Sequence, residues 1–238
     1  MALTTIGLMA LLGCFTGFMA GLLGIGGGMI ITPFLIMLIP SSLIPHEHIV
    51  HVAIATSLAT IAFTSLSSVR AHHKRGAVLW NVVASVAPGI LVGAVVGAQI
   101  AGWLPTFWLS LIFAAFVGFS AFKMFLNKSP RPDRNLPGTI GKFFMGIAIG
   151  ILSALVGAGG GFISVPWMIW CNVKMQNAVA TSAAFGFPIA LFGTIGYIIS
   201  GWNVSGLPPW PIDLGYICIP ALFSVAITSV LFAPLGAK

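Results

Sequence analysis

Long apolar stretches, interrupted by short polar connections, make up almost the whole chain. Stretches without a Lys, Arg, Asp or Glu cover residues 1–46, 76–122, 143–173, 175–212 and 214–237. A helix needs about 20 apolar residues to cross the hydrocarbon core of a bilayer, so each stretch can hold at least one such helix. The pattern therefore predicts an all-α, polytopic transmembrane protein.

Glycine, proline and charged residues divide these stretches into helices, because such residues mark turns and helix ends. About nine helices are predicted, five in the first half of the chain and four in the second. Their approximate bounds are 3–23, 27–44, 48–69, 77–102, 105–126, 140–157, 160–173, 176–200 and 213–235.

The composition excludes a soluble domain. Hydrophobic residues make up 58% of the 238 residues and charged residues only 5%, with a mean hydropathy of +1.10, whereas soluble domains carry about 25% charged residues. The net charge of +7 does not indicate nucleic-acid binding, because Lys and Arg lie in short loops rather than on one basic face. The lipid bilayer is the predicted partner of the surface.

Two motifs of the first half recur in the second half. The sequence GIGGG at 24–28 is echoed by GAGGG at 157–161, and AIATS at 53–57 is echoed by AVATS at 178–182. The two motifs follow in the same order in each half. The chain is therefore predicted to consist of two structural repeats.

The repeats suggest three parts: a first transmembrane repeat over 1–126, a cytoplasmic basic linker over 127–142 and a second transmembrane repeat over 143–238. The second repeat has only four predicted helices, so the counterpart of the helix at 105–126 is expected to be absent. A unit of five helices has its ends on opposite sides of the membrane. The second repeat is therefore predicted to be inverted relative to the first.

The basic residues predict how the protein lies in the membrane, because short cytoplasmic loops collect Lys and Arg. With the N-terminus outside, all ten basic residues fall on the cytoplasmic side. The outer connections at 41–48, 102–105 and 201–210 contain none. The expected location is a bacterial-type inner (plasma) membrane.

The repeated motifs form the candidate binding site. Inverted repeats with helices interrupted at matching positions are typical of secondary transporters and point to the substrate site. A helix that restarts after a glycine run presents unpaired N–H groups and a positive dipole end, which suit an anion. Hydroxyl groups add hydrogen-bond donors. The predicted substrate-binding residues are Gly24, Gly26, Gly27, Gly28, Thr56, Ser57, Gly157, Gly159, Gly160, Gly161, Thr181 and Ser182.

Each of these motifs also has a purely structural interpretation. Glycines allow helices to pack closely, and Thr or Ser hydroxyls inside helices often bond to the carbonyl of the preceding turn. Glycines spaced by four residues lie on one helix face, and two such series are predicted to serve packing alone: Gly13, Gly17, Gly21, Gly89, Gly93 and Gly97.

Residues that carry protons are scarce in the apolar stretches. His51 and its counterpart Gln176 are candidate coupling residues, and a solvated histidine near the membrane surface is the alternative for His51. Glu47, Asp133 and Asp213 lie at or beyond predicted helix ends. No carboxylate is therefore expected inside the membrane, and an anion is favoured over a cation as the substrate.

Enzymatic chemistry is not indicated. Cys14, Cys171 and Cys218 have no metal-ligand or disulfide spacing, and neither a metal site nor a cofactor is expected. The few His, Asp and Glu residues lie at the edges of the apolar stretches and form no nucleophile and base pair. The protein is predicted not to be an enzyme.

The motifs resemble those of the TauE/SafE sulfite-exporter family of membrane permeases. The resemblance covers nearly the whole chain and implies transport of sulfite, sulfonates or related sulfur compounds across the inner membrane without ATP. The family usually has a further helix after the position of residue 236. The residues that carry the resemblance are GFMAGLLGIGGG at 17–28, Pro33, ATSL at 55–58, Arg75-Gly76, GAGGG at 157–161, Pro166 and ATS at 180–182.

The predicted function is secondary transport of a small anion, sulfite-like, by alternating access. An anion channel and a non-transporting membrane subunit are the alternatives that the residues leave open. The exact substrate, the direction of transport, the coupling ion and the oligomeric state do not follow from the sequence.

Overall fold

The computed structural model describes residues 3–23, 27–40, 43–125, 135–208 and 212–236. These ranges contain nine α-helices and one two-stranded hairpin. The helices are α1 Leu3–Leu23, α2 Gly28–Leu38, α3 Ile49–His73, α4 Trp80–Trp103, α5 Thr106–Phe125, α6 Thr139–Val156, α7 Gly161–Trp170, α8 Met175–Gly201 and α9 Ile219–Gly236, and the strands are β1 Asp213–Leu214 and β2 Ile217–Cys218.

Six of these helices, α1, α3, α4, α6, α8 and α9, are long and apolar enough to cross a membrane. The helix α5 has a shorter apolar part, and α2 and α7 have only 11 and 10 residues. Large apolar side chains cover the outside of the bundle, among them Leu11, Phe15, Trp103 and Ile227. Lipid tails can solvate this surface, whereas water cannot. The prediction of an all-α, multi-pass membrane protein is confirmed.

Glycine faces join α1 to α9 and α4 to α6. A Cβ atom on Gly13 or Gly17 would overlap the backbone of α9, and one on Gly89 or Gly93 would overlap the backbone of α6. Because glycine has no side chain, the two helix backbones approach closely and many of their atoms make van der Waals contact, which stabilises helix pairs in lipid. The packing role predicted for these glycines is confirmed, and Gly97 takes the same role against Ile151.

The two halves are inverted relative to each other. The helices α3 and α8 carry the repeated Thr-Ser pair, so they are equivalent. Gly186 of α8 lies against Ser65 of α3, and Gly193 lies against Leu58, so the two helices run antiparallel. The close pair α1 and α9 is likewise equivalent to the pair α6 and α4. Equivalent helices of opposite direction are what inverted repeats produce.

Several helix ends differ from the predicted bounds. The helix α2 ends at Leu38 rather than near 44, because Pro40 lacks an N–H group and disfavours a helical residue before it. The helix α9 begins at Ile219 rather than 213, because the chain forms a hairpin whose turn contains Gly215 with φ of 60°. The last four residues of the predicted linker, 139–142, form the first turn of α6.

Candidate functional site

The short helices α2 and α7 begin in the interior of the bundle after left-handed glycines. Gly27 has φ of 71° and Gly160 has φ of 78°, a backbone region that residues with a Cβ rarely adopt. The Gly27 carbonyl accepts hydrogen bonds from Ile30 and Ile31, both 3.1 Å long. The first N–H groups of α2 precede these bonds and have no partner within the helix.

The same geometry recurs at α7, where the Gly160 carbonyl accepts hydrogen bonds from Ile163 at 3.1 Å and Ser164 at 2.9 Å. The preceding turn contains Gly157, also left-handed with φ of 68°, and the buried Gly159. The helix then starts at the buried Gly161. Both repeats therefore present the start of a half-helix to the interior.

The two breaks meet at Ser57. Its hydroxyl lies 3.3 Å from the carbonyl oxygen of Gly28 and 3.2 Å from that of Gly157. A Cβ atom on Gly28 would overlap the Gly157 carbonyl oxygen and crowd Ile61. The structure thus brings Gly28, Ser57 and Gly157 of the predicted site together. Gly24 and Gly26 lie outside the described residues.

The equivalent serine of the second half has a different partner. Ser182 is fully buried, and its hydroxyl accepts a hydrogen bond of 2.9 Å from Ser164 of α7. It therefore contacts the half-helix of its own repeat, whereas Ser57 contacts both breaks. The pair places two further hydroxyls beside the start of α7.

Two buried hydroxyls that the sequence did not single out lie beside the glycine turn that precedes α7. Thr32 Oγ1 is 3.1 Å from the position of a Cβ on Gly157, and Ser153 Oγ is 3.3 Å from that of a Cβ on Gly160. Both side chains are at most 1% exposed, and neither hydroxyl has a hydrogen-bond partner. A buried polar group without a partner costs about 1–3 kcal/mol. A polar ligand at the turns would remove this cost.

Thr56 and Thr181 hold helix starts of the opposite repeat. The backbone N–H of Cys218, just before α9, donates to Thr56 Oγ1 at 3.0 Å, and the N–H of Leu79, just before α4, donates to Thr181 Oγ1 at 3.0 Å. Each threonine is fully buried. Their hydroxyl oxygens therefore act as acceptors in the fold, and each hydroxyl hydrogen remains a donor that an anion could use.

Thr56→Val and Thr181→Val are each expected to lower the free energy of unfolding by about 1–3 kcal/mol, because valine leaves the buried N–H of Cys218 or the partly buried N–H of Leu79 without an acceptor. The measurement is the midpoint of thermal unfolding of the purified protein in detergent. Thr60→Val is the matched control, since its hydroxyl bonds only to the Thr56 carbonyl of its own helix. A midpoint equal to that of this control would contradict the assigned role.

His51 is buried rather than solvated. Only 3% of it is exposed, and its Nε2 lies 3.0 Å from the carbonyl oxygens of both Ala101 and Leu104. The ring also stacks on Tyr216, with centroids 5.1 Å apart. Its counterpart Gln176 is exposed at the start of α8. The candidate coupling pair thus has one member fixed between helices and one on the surface.

The structure changes the interpretation of one carboxylate. Asp213, placed by the sequence at a helix end, is only 4% exposed because the hairpin of β1 and β2 folds back against α3. Glu47 has a side chain that is 76% exposed, and Asp133 lies outside the described residues. Within the described part of the chain, no group of three His, Cys, Asp or Glu residues could hold a metal ion.

Comparison with known proteins identifies the family. The model of the family described as sulfite exporter TauE/SafE matches residues 9–238. The chain belongs to this family. The resemblance seen in the glycine and Thr-Ser motifs is thereby confirmed. No solved structure matches the TauE/SafE chain.

Curated relatives of this TauE/SafE protein are described as probable membrane transporter proteins. One from Haemophilus influenzae is 34% identical over 99% of this chain and 89% of its own length. YdhB of Bacillus subtilis is 30% identical over 78% of this chain and 76% of its own length. One from Methanocaldococcus jannaschii is 28% identical over 97% of this chain and 85% of its own length. These names indicate a membrane transporter.

Proposed function

We propose that this TauE/SafE protein is a secondary carrier of a small anion, with the substrate bound between the starts of α2 and α7. The observation that carries the proposal is the pair of unpartnered hydroxyls beside the glycine turn that precedes α7, one on Thr32 of α2 and one on Ser153 of α6. Both half-helices present a positive dipole end and unpaired N–H groups there. These are donors, and an anion supplies the acceptors that they lack.

The substrate class that fits is a sulfur oxyanion or a small organosulfonate. Such ions carry several oxygen atoms on one centre, so N–H and O–H donors from opposite sides can bind them together. Every residue at the centre of the site is uncharged, and helix dipoles supply the positive field in place of Lys or Arg. The name of the family, sulfite exporter, is consistent with this choice.

The antiparallel relation of α3 and α8 supports transport by alternating access. Inverted repeats allow a carrier to adopt two related conformations, each opening the central site to one side of the membrane. In this proposal Thr56, Ser57, Thr181 and Ser182 line the path with the glycine turns. A channel would use the same donors but would pass ions far faster than a carrier turns over.

Binding is tested first by thermal shift on the purified protein in detergent, with sulfite, thiosulfate, sulfate, methanesulfonate and chloride. A ligand at 100 times its dissociation constant stabilises the native state by about 2.7 kcal/mol. We expect sulfur oxyanions to raise the unfolding midpoint and chloride to leave it unchanged. Flux of the stabilising anion into proteoliposomes then follows. No shift and no flux with any of the five anions would refute the proposal.

The proposed orientation, with the N-terminus outside a bacterial-type inner membrane, is tested by thiol labelling. In a variant whose three cysteines are replaced by alanine, Asn203→Cys is expected to react with an impermeant maleimide on intact spheroplasts. Lys174→Cys is the matched position on the other side, and it should react only after permeabilisation. Both residues are exposed in the structure. The opposite labelling pattern would reverse the orientation.

A further inference from the structure

The carboxyl group of Asp213 is buried without a charged partner. Neither oxygen atom has a hydrogen bond of normal geometry, although the Cys218 thiol, a weak donor, interacts with the carboxyl group. No basic side chain of the described residues forms a salt bridge with it. A carboxylate in such a place is unfavourable unless a proton or another ligand neutralises it. We propose that Asp213 is the proton-binding residue of this carrier and takes up one proton with each anion. This inference rests on the proposed transport function.

A short chain of contacts links Asp213 to the anion site. In the hairpin, Asp213 pairs with Cys218, and the Cys218 N–H donates to Thr56 Oγ1 at 3.0 Å. The next residue, Ser57, contacts the carbonyl oxygens of both glycine breaks. A change of charge at Asp213 therefore acts on β2, the strand whose Cys218 N–H bonds to Thr56 of α3 beside the proposed anion path.

Electrostatics gives the direction of the coupling. An ionised Asp213 and a bound anion repel each other, and the repulsion is strong where water is excluded. A proton on Asp213 removes it, so proton binding strengthens anion binding, and anion binding strengthens proton binding by the same factor. The two ions therefore cross together, with one proton taken up on one side and released on the other.

The other titratable groups around the hairpin are a thiol, two phenols and two histidines. Burial, followed by the nearby Asp213 charge, raises the pKa of the Cys218 thiol to about 12, and burial raises the pKa of the Tyr216 phenol. Tyr197 of α8 lies edge-on to Tyr216. The rings of His51 in α3 and of His48, just before α3, also contact Tyr216. The histidines are the rival proton carriers, so the test must separate them from Asp213.

The transport test uses proteoliposomes that contain the full chain and the pH dye pyranine. Labelled sulfite, sulfate and methanesulfonate are the substrates, and the last two keep a fixed charge between pH 5.5 and 7.5. With wild-type protein, inward anion flux should acidify the lumen, and lowering the outer pH from 7.5 to 5.5 should speed uptake at least fivefold. Protein-free vesicles give the background.

Asp213→Asn should still exchange anions, because asparagine resembles the protonated acid, but it should lose the lumen acidification and the pH dependence. Glu47→Gln, which changes an exposed carboxylate, should behave as wild type. No anion movement by wild type refutes the proposed function. Three other results would refute this inference but not the proposed carrier function. They are anion movement without protons, coupling of the anion to Na⁺, and proton coupling that persists in Asp213→Asn.

Proton binding by Asp213 is also measured without transport. Burial raises the pKa of its carboxyl to about 6, above the value of about 4 in an unfolded chain. The native state therefore binds more protons between these values, and its stability falls as the pH rises from 4 to 6. The unfolding midpoint of wild type should fall over this range relative to Asp213→Asn. If the unfolding midpoints of wild type and Asp213→Asn change with pH in the same way, Asp213 is not a proton site. This measurement needs no transport, so it is informative even if the variant transports poorly.

Discussion

Gly28→Ala is expected to destabilise the protein by about 2–3 kcal/mol, as overpacking of a filled interior does, and to abolish anion transport. The added methyl group would overlap the Gly157 carbonyl oxygen and crowd Ile61 and Ser57. The first of these neighbours is backbone, so no change of side-chain rotamer relieves the clash. The two half-helix starts must then move apart, and the donors of the site no longer converge.

The measurements for Gly28→Ala are the unfolding midpoint in detergent and anion flux in proteoliposomes. Gly118→Ala on α5 is the matched control, because its Cβ would meet nothing within 4 Å. We expect this control to fold and to transport as wild type. A Gly28→Ala protein that keeps both stability and flux would show that the breaks do not pack as described.

Thr32→Val combined with Ser153→Ala is expected to weaken anion binding at least about tenfold. Each hydrogen bond to a charged group contributes about 1.5–3 kcal/mol, and a loss of about 1.4 kcal/mol lowers affinity tenfold. The same variant should keep or raise the unfolding midpoint without ligand. Neither hydroxyl has a partner to lose, so removing it relieves an unsatisfied buried group.

Anion affinity is read from the ligand dependence of the unfolding midpoint. Ser224→Ala is the control, because its hydroxyl bonds only to the Pro220 carbonyl of its own helix. Unchanged affinity in the double variant would move the anion site away from the glycine turns. A large loss of stability without ligand would instead mean that the two hydroxyls support the fold.

Much of the architecture could be predicted because its signals are local. Apolar stretches fix the spanning helices, and glycines spaced by four fix the faces by which they pack. The repeated GGG and Thr-Ser motifs indicated two equivalent halves. The odd number of helices in the first half, five, indicated that the second half is inverted. The antiparallel packing of α3 and α8, seen in the contact of Gly193 with Leu58, is the physical result of that odd number.

The remaining features depend on contacts between distant residues. Thr32 and Thr60 look alike in sequence, as hydroxyls within apolar stretches, but Thr60 bonds to its own helix and Thr32 has no partner. Asp213 is the one charged residue between two apolar stretches of the sequence, and the hairpin with its turn at Gly215 places it in the interior. The acceptor roles of Thr56 and Thr181 likewise arise from the opposite repeat.

The close pairing of α1 with α9 has a consequence for biogenesis. The helix α1 is synthesised before α9 and completes this packing only after α9 has been inserted, so the glycine face of α1 must meet lipid or a chaperone in the meantime. Side-chain burial between these helices is thus a late step, after each span has been placed in the bilayer. Substitutions on this face should therefore act on the yield of assembled protein and not on insertion of the individual spans.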